Sequence, residues 1–433
     1  MTPRPVHSWG RLGPAMADVL TPAWPDQISA DSGPLLAYGL GRSYGDSCLL
    51  DGGTMVDMRF LDRLISFDPA TGILKAEAGV TLDAILTFAV PRGWFLPTTP
   101  GTRQVTLGGA IANDVHGKNH HRVGCFGNHV PRFGLLRSDG SHVTCHEGEA
   151  LHSATVGGLG LTGIITWVEV KLVPIRSAML DVELIRFRGI GEFLAITNDA
   201  PEKWEHTVAW IDCLSPGESA TRGIFIRGNW ADEGGLETHR PAGAGVPIDF
   251  PEIALNSLSI RAFNTLYYRR FLGKTKRVRQ HYSPFFHPLD SVHDWNRIYG
   301  KRGFYQYQCV TPFEAGSAPM DAILKSIASS GQGSFLAVLK TFGDIASPGM
   351  LSFPSPGITL ALDFPNRGAA TLQLFEALDR IVRDCGGRLY PAKDARMEAA
   401  DFHRAYPRLP EFRQHVDPAF TSDFWKRMTG TTA

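Results

Sequence analysis

The sequence has no apolar run near the roughly 18–20 residues of a bilayer-spanning helix, so no span is expected. It has no excess of either charge. The 43 Lys and Arg residues balance 43 Asp and Glu, which excludes a global field that would draw the chain to a polyanion. No known nucleic-acid-binding module surrounds any of its basic residues, so no nucleic-acid partner is expected. The amino-terminal MTPRPVHSWGRLGPAMADVLTP puts Pro, His and Trp where a secretory signal has its continuous apolar segment, so export by that route is not expected. CxxC pairs are missing too: Cys48, Cys125, Cys145, Cys213, Cys309 and Cys385 lie at least 20 residues apart, as reduced thiols do. There is no repeat and no low-complexity tract.

What is present is a globular chain of 433 residues with 43% hydrophobic residues, which excludes general disorder and leaves room for two or three domains. Residues 35–175 alternate short β-type runs (Thr54–Met58, Ile73–Val80, Gly163–Val173) with turns, and carry one helical pattern over Thr81–Val90. After Val173-Pro174 the segments lengthen, and Asp232–Pro247 reads as a polar surface loop. Leu374, Leu378, Ile381, Val382 and Cys385 share one helix face that stops at Gly386-Gly387, and Arg388–Ala392 reads as a strand. The pattern is α+β, with a second domain starting near Pro174.

Two glycine clusters invite a Rossmann reading, and neither supports it. Gly39-Leu40-Gly41-Arg42-Ser43-Tyr44-Gly45-Asp46 follows the apolar run Leu35–Tyr38, and its amides can converge on a phosphate. Yet a turn-rich stretch and another strand follow instead of a helix. Gly158-Leu159-Gly160-Leu161-Thr162-Gly163 matches GxGxxG literally, but the β-branched run after it predicts a strand. Between them, PGTRQVTLGGAIANDVHGKNHH (100–121) holds His116, His120 and His121 without the glutamate of a zinc motif, so no metal is expected. Its small residues Gly108, Gly109, Ala110 and Ala112 suit backbone pressed against a planar ring.

Together these segments resemble the vanillyl-alcohol-oxidase type of flavoprotein, with its two-part PCMH-type FAD-binding domain. Within that family, the runs CFGNHV (125–130), TVGGLGLTGII (155–165), FHPLD (286–290), GFYQYQ (303–308), LSFPSPG (351–357), LDFP (362–365) and GGRLYPAKDAR (386–396) are similar to the branch that oxidises polyprenylphosphoryl pentoses. The resemblance implies an FAD-binding domain over 1–174 completed by 388–433, and a substrate domain over 175–387 built on an antiparallel sheet flanked by helices. It implies that non-covalent FAD lies along Ala37, Tyr38, Gly39, Leu40, Gly41, Arg42, Ser43, Tyr44, Gly45, Asp46 and Ser47. Gly101, Thr106, Leu107, Gly108, Gly109, Asn113, Asp114, Val115, His116, Ile164 and Tyr390 would complete that set. The substrate would meet Trp210, Gln306, Gln308, Lys340, Phe342 and Lys393, with Lys393 and His116 as the catalytic candidates. The mycobacterial members carry Cys where this chain has Ala361, Asn at Thr359 and Tyr at Phe286.

The expected reaction is oxidation of the 2′-hydroxyl of a polyprenylphosphoryl-β-D-ribose to a ketone, in the synthesis of an arabinose-donor lipid. An NAD(P)H-dependent short-chain keto-reductase would be the pathway partner. The alternative is a soluble FAD-dependent alditol or aldonolactone oxidase that uses dioxygen. From Ile253 to Leu289 the sequence lacks acidic residues, while Arg261, Arg269, Arg270, Lys274, Lys276, Arg277 and Arg279 alternate with aromatics. That composition suits an anionic membrane surface. The expected location is cytoplasmic and peripheral to the inner membrane, the alternative being the periplasmic face.

Overall fold

The computed structural model describes residues 2–28, 33–199, 201–215, 221–241, 243–251 and 255–430. Strands Arg4–His7, Pro14–Leu20, Thr54–Asp57 and Leu35–Tyr38 form one small sheet, in that spatial order, with its last two pairings parallel. An antiparallel sheet follows, ordered Leu64–Asp68, Ile73–Glu77, Ile164–Lys171, Arg132–Leu136, His142–His146. The helix expected near Thr81 runs Leu82–Ala89; Thr81 caps it by accepting from the Ala84 amide at 3.0 Å, and Leu82, Ile85, Leu86 and Ala89 fill the core. The literal GxGxxG does lead into a strand, Ile164–Lys171. The amides of Gly157 and Leu159 in that loop donate to the carbonyls of Ile111 and Ala112 at 2.9 and 2.8 Å, latching it to the end of the helix Leu107–Ala112.

An eight-stranded antiparallel sheet takes its strands from residues 179–389, in the order Thr275–His281, Met179–Arg188, Arg222–Trp230, His206–Asp212, Ala337–Phe342, Gly357–Pro365, Phe304–Pro312, Arg388–Leu389. Side chains alternate between its faces. Ile185, Ile211, Phe225, Leu339, Leu360, Leu362 and Cys309 pack under the helices Gly189–Thr197, Ala318–Ser330 and Ala369–Asp384. Their alternate neighbours Val182, Leu184, Trp210 and Ile224 join the core that holds the antiparallel sheet of the first region.

Two differences from the sequence reading have plain causes. The strand expected over Arg388–Ala392 stops at Leu389, because Pro391 has no amide to donate and the chain turns there, the Lys393 amide bonding back to the Tyr390 carbonyl at 3.0 Å. The loop Asp232–Pro247 carries a two-residue parallel pairing of Ala244–Gly245 with Val292–His293.

The C-terminal helix Asp423–Thr429 closes over the first glycine loop. Arg427 Nη2 donates to Asp46 and Asp394 at 2.9 Å each, and its Nε to Asp46 at 3.0 Å. Charge-assisted bonds of this kind contribute about 1–3 kcal/mol when partly screened. Arg427→Ala is expected to lower the thermal unfolding midpoint by several degrees, with Arg427→Lys recovering only part, because an ammonium lacks the fork that spans two carboxylates. An unchanged midpoint in differential scanning fluorimetry would show the bridge to be dispensable.

Candidate active site

The glycine loop after Leu35–Tyr38 is shaped by close approach. A Cβ on Gly45 would stand 1.6 Å from the Asp394 carbonyl oxygen, and one on Gly39 would stand 2.4 Å from Thr106 Oγ1. The Tyr38 hydroxyl is held by the His7 carbonyl at 2.8 Å. The Arg42 guanidinium lies 3.8 Å over the Trp9 ring, and burial lowers its pKa. A cavity of about 410 Å³ opens beside Arg42, lined also by Trp9, Arg103, His239, Asp290 and Trp295. Thr106 caps the helix Leu107–Ala112 by accepting from the Gly109 amide at 3.2 Å, and Gly108 lies so close to Ala78 that an added Cβ would meet its methyl at 3.0 Å. The Gly101–Gln104 loop is pinned by Asp290 of the HPLD run. Its carboxylate accepts from Thr102 Oγ1 at 2.6 Å and from the Arg103 amide at 2.7 Å, while Arg103 also reaches Asp83 at 2.5 Å.

Asn113 to His116 follow that helix. The Tyr390 hydroxyl donates to the Asn113 carbonyl at 2.7 Å, and Tyr390 stacks on Phe353 at 4.7 Å. The Asp114 carboxylate is fully buried and spent within the protein, accepting from the Gly127 amide at 2.8 Å, from Ser352 Oγ at 2.5 Å and from Ser347 Oγ. Leu107 and Ile164 point into the core, and Val115 packs against it. His116 is buried beside Phe342 and Tyr390, and burial together with Lys340 holds its pKa well below the ordinary imidazole range. With the Gln308 amide donating to His116 Nε2 at 3.1 Å, the His116 proton stays on Nδ1, which has no protein partner. The other two histidines point elsewhere, His120 Nδ1 to the Gly343 amide at 3.2 Å and His121 Nε2 to the Trp204 carbonyl at 3.0 Å.

Strand register brings the remaining residues to one sheet face. Gln306 pairs with Asp363, Gln308 with Ala361, Lys340 with Thr359 and Trp210 with Val338. Gln306 Nε2 donates to Asp363 at 2.6 Å, and Lys340 Nζ to the Gly117 carbonyl at 3.1 Å. Lys393 Nζ sits 3.9 Å over the Tyr44 ring. Burial lowers Lys393 to about 8, opposed by the Asp363 charge, and lowers Lys340 to about 7. Burial raises Asp363 to about 7. Lys118, likewise pushed down to about 7 by burial, donates to the Phe285 carbonyl. Asp363 and Lys118 escaped the sequence reading although both lie in quoted runs, LDFP and HGKNHH. Alternation from Gln306 and Gln308 across the sheet would have found Asp363. Phe286 is a core residue, 4.8 Å edge-on to His206 and 5.4 Å from Phe95.

Along the glycine loop and the segment that follows the small-residue helix, three buried polar atoms have no hydrogen-bond partner among the described residues: Arg42 Nε, Ser47 Oγ and His116 Nδ1. Donors left free along a glycine loop and a small-residue helix fit a dinucleotide with a planar ring system. Residues 26–146 match the model of an FAD-binding domain. The chain is 38% identical to decaprenylphosphoryl-β-D-ribose oxidase of Mycolicibacterium smegmatis, over 99% of this chain and 98% of that one. It belongs to the decaprenylphosphoryl-β-D-ribose oxidase family. Members of this family are FAD-dependent oxidoreductases, and so is this chain. It is also 30% identical to an uncharacterised protein of Streptomyces coelicolor, over 81% of this chain and all of that one. A D-lactate dehydrogenase of Anaerostipes hadrus is 23% identical over 38% of this chain and 35% of its own length. The α+β architecture of this oxidase-family chain agrees with the expected fold class.

In this family member, Gly45→Ala is expected to yield protein with little bound flavin, because the new Cβ forces the glycine loop away from Asp394. Gly191→Ala, where nothing lies within 4 Å of the added atom, is the control. Equal absorbance ratios at 450 and 280 nm for both variants and the parent would refute the assignment of this loop to the cofactor.

Proposed function

We propose that the chain oxidises the 2′-hydroxyl of a polyprenylphosphoryl-β-D-ribose to the 2′-ketone, for reduction by an NAD(P)H-dependent short-chain reductase in arabinose-donor lipid synthesis. The observation that carries this reading is the single sheet face with Trp210, Gln306, Gln308, Lys340 and Asp363, in a chain 38% identical along almost its whole length to a relative named for that substrate. Among the described residues no helix is long and apolar enough to cross a membrane. The lipid-borne substrate makes a peripheral station at the membrane part of the proposal.

FAD, when bound, supplies a hydride acceptor. Its diphosphate would be held by the segment Ala37–Ser47, and its ring by Gly101, Thr106, Gly108, Gly109, Asn113, His116 and Tyr390, with only the backbone of Leu107, Asp114, Val115 and Ile164 left to meet it. The chain's own residues handle the proton and the charge. Asp363, oriented by Gln306, accepts the hydroxyl proton as the C–H bond breaks. Lys393 keeps its positive charge at neutral pH because Asp363 opposes the effect of burial, and it stabilises negative charge that develops during the reaction. His116 presents its Nδ1–H as a donor, since its other nitrogen is taken by Gln308. The excess of buried lysines over carboxylates favours an anionic substrate group in the pocket.

Anaerobic mixing tests the reading directly: a short-chain polyprenylphosphoryl ribose should bleach the flavin at 450 nm while free alditols leave it unchanged. Bleaching by free alditols with release of hydrogen peroxide would establish the alditol-oxidase alternative instead. Acid precipitation should release the yellow cofactor to the supernatant, since relatives with a covalent link at the first glycine loop carry a histidine where this chain has Arg42; colour retained in the pellet would contradict this.

Lys393→Ala should retain FAD and lose about a hundredfold or more in kcat, the usual loss when a group that stabilises developing charge is removed. Turnover at the wild-type rate would reject that role. The pH profile has a defined sign. Activity falls below about 7 as Asp363 protonates and above about 8 as Lys393 loses its proton. Asp363→Asn removes the charge that raises the lysine, so the alkaline limb should move to lower pH as the acid limb disappears; an unmoved profile would exclude the pair.

A further inference from the structure

The helix Ser257–Tyr268 has two unlike faces. Ile260, Asn264 and Tyr268 are buried, and Asn264 Nδ2 donates to Asp212 at 2.8 Å. Tyr267 lies 4.6 Å from the Trp210 ring, and Phe263 lies 5.7 Å from Phe335, whose carbonyl accepts from Trp210 Nε1 at 3.0 Å. The helix therefore rests directly on the residue that ends the pocket wall. Its other face is apolar and open. Leu258 is 76% exposed and Leu266 73%, in line at i and i+8 with Ala262 between them, and in the turn that follows Leu272 is 93% exposed. Three leucines this exposed on one short segment are not the scattered apolar residues of an ordinary surface.

The charges around this face differ from the sequence expectation. Ile253, where the acid-free stretch begins, lies outside the described residues. Three of the seven cations already have carboxylate partners: Lys274 with Glu192 at 2.8 Å, Arg277 with Glu183 at 2.9 Å and Arg279 with Asp181 at 2.7 Å. Arg261, Arg269, Arg270 and Lys276 are exposed and have no carboxylate partner among the described residues. Arg270 lies 4.1 Å over the Tyr267 ring. The uncompensated charge is thus gathered beside the exposed leucines.

We infer that Leu258, Leu266 and Leu272, bordered by Arg261, Arg269, Arg270 and Lys276, form the surface by which the protein settles on an anionic lipid bilayer. The leucines enter the acyl boundary and the cations meet headgroup phosphates, an arrangement that needs both apolar area and charge. Charge complementarity selects this occupant over a second copy of the chain, whose identical patch would set arginine against arginine. The inference deepens the proposed function and rests on its lipid-borne substrate. With Tyr267 of this helix packed on Trp210, the sugar would enter the pocket at headgroup level while the prenyl tail stays in the membrane.

The experiment is sedimentation of the FAD-loaded protein with vesicles of phosphatidylcholine containing about one-third phosphatidylglycerol, at low and physiological salt, beside phosphatidylcholine alone. The wild type should bind the anionic vesicles, more weakly as salt rises. The triple variant Leu258→Ser/Leu266→Ser/Leu272→Ser should lose about tenfold or more in partitioning, and Arg269→Gln/Arg270→Gln should lose most of the salt dependence. Both should keep wild-type flavin content and wild-type activity on a short-chain soluble substrate. Failure of the wild type to sediment, or unchanged binding by the leucine variant, overturns the inference. A wild-type dimer that the leucine variant turns into a monomer, without vesicle binding, assigns the face to a second copy. Vesicle binding that follows these expectations in a protein that no prenylphosphoryl sugar bleaches would sink the proposed substrate and leave the surface standing.

Discussion

Lys118, Lys340 and Lys393 are drawn partly out of water, Lys340 in the field of the other two and Lys393 in that of Asp363, and this desolvated charge sets the demands on the rest of the molecule. A buried ammonium is costly without compensation. Each of the three has some: the Phe285 carbonyl for Lys118, the Gly117 carbonyl for Lys340, and the Tyr44 ring with the Asp363 charge for Lys393. The compensation is incomplete, and the deficit appears as three lysines with pKa values lowered toward neutrality. Such a pocket is preorganised for negative charge, whether it arrives with a ligand or develops during a reaction.

The carboxylates of the sequence motifs mostly serve that enclosure. Asp290 fixes the Gly101–Gln104 loop, Asp114 ties the floor of the site to Ser347 and Ser352, and Asp46 with Asp394 receives Arg427 from the C-terminal helix. In each case a carboxylate accepts several hydrogen bonds from a segment remote in sequence, which fixes a loop more firmly than apolar contact alone. Asp363 differs from them. Among the described residues Gln306 is the one side chain that hydrogen-bonds its carboxylate, and the charge of Lys393 acts on it.

The large sheet gives this economy its geometry. One set of alternating residues is apolar and seals against three helices; the other holds Trp210, the two glutamines, Lys340 and Asp363. A shift of one residue in the pairing of Phe304–Pro312 with Gly357–Pro365 would bury Asp363 under the helix Ala369–Asp384 and expose Leu362 to the site. Function and folding are thus bound by the same register.

Local pattern was enough for the pieces whose causes are local. The helix behind Thr81, the strand after the false dinucleotide fingerprint and the end of the long helix at Gly386-Gly387 all follow from capping, β-branching and glycine, each acting within a few residues. The glycine loop, the small-residue helix and the family were legible in the same way, from contiguous motifs. What the sequence alone left open were partnerships between distant segments. Lys118 and Asp363 joined the candidate site only when Phe285 and Gln306 were brought to them, and Arg277 and Arg279 gained carboxylate partners only when the strand Thr275–His281 paired beside Asp181 and Glu183. Burial and charge are sums over neighbours in space, so tertiary structure decided which cations are spent, which carboxylate is held over the pocket and which leucines remain in contact with water.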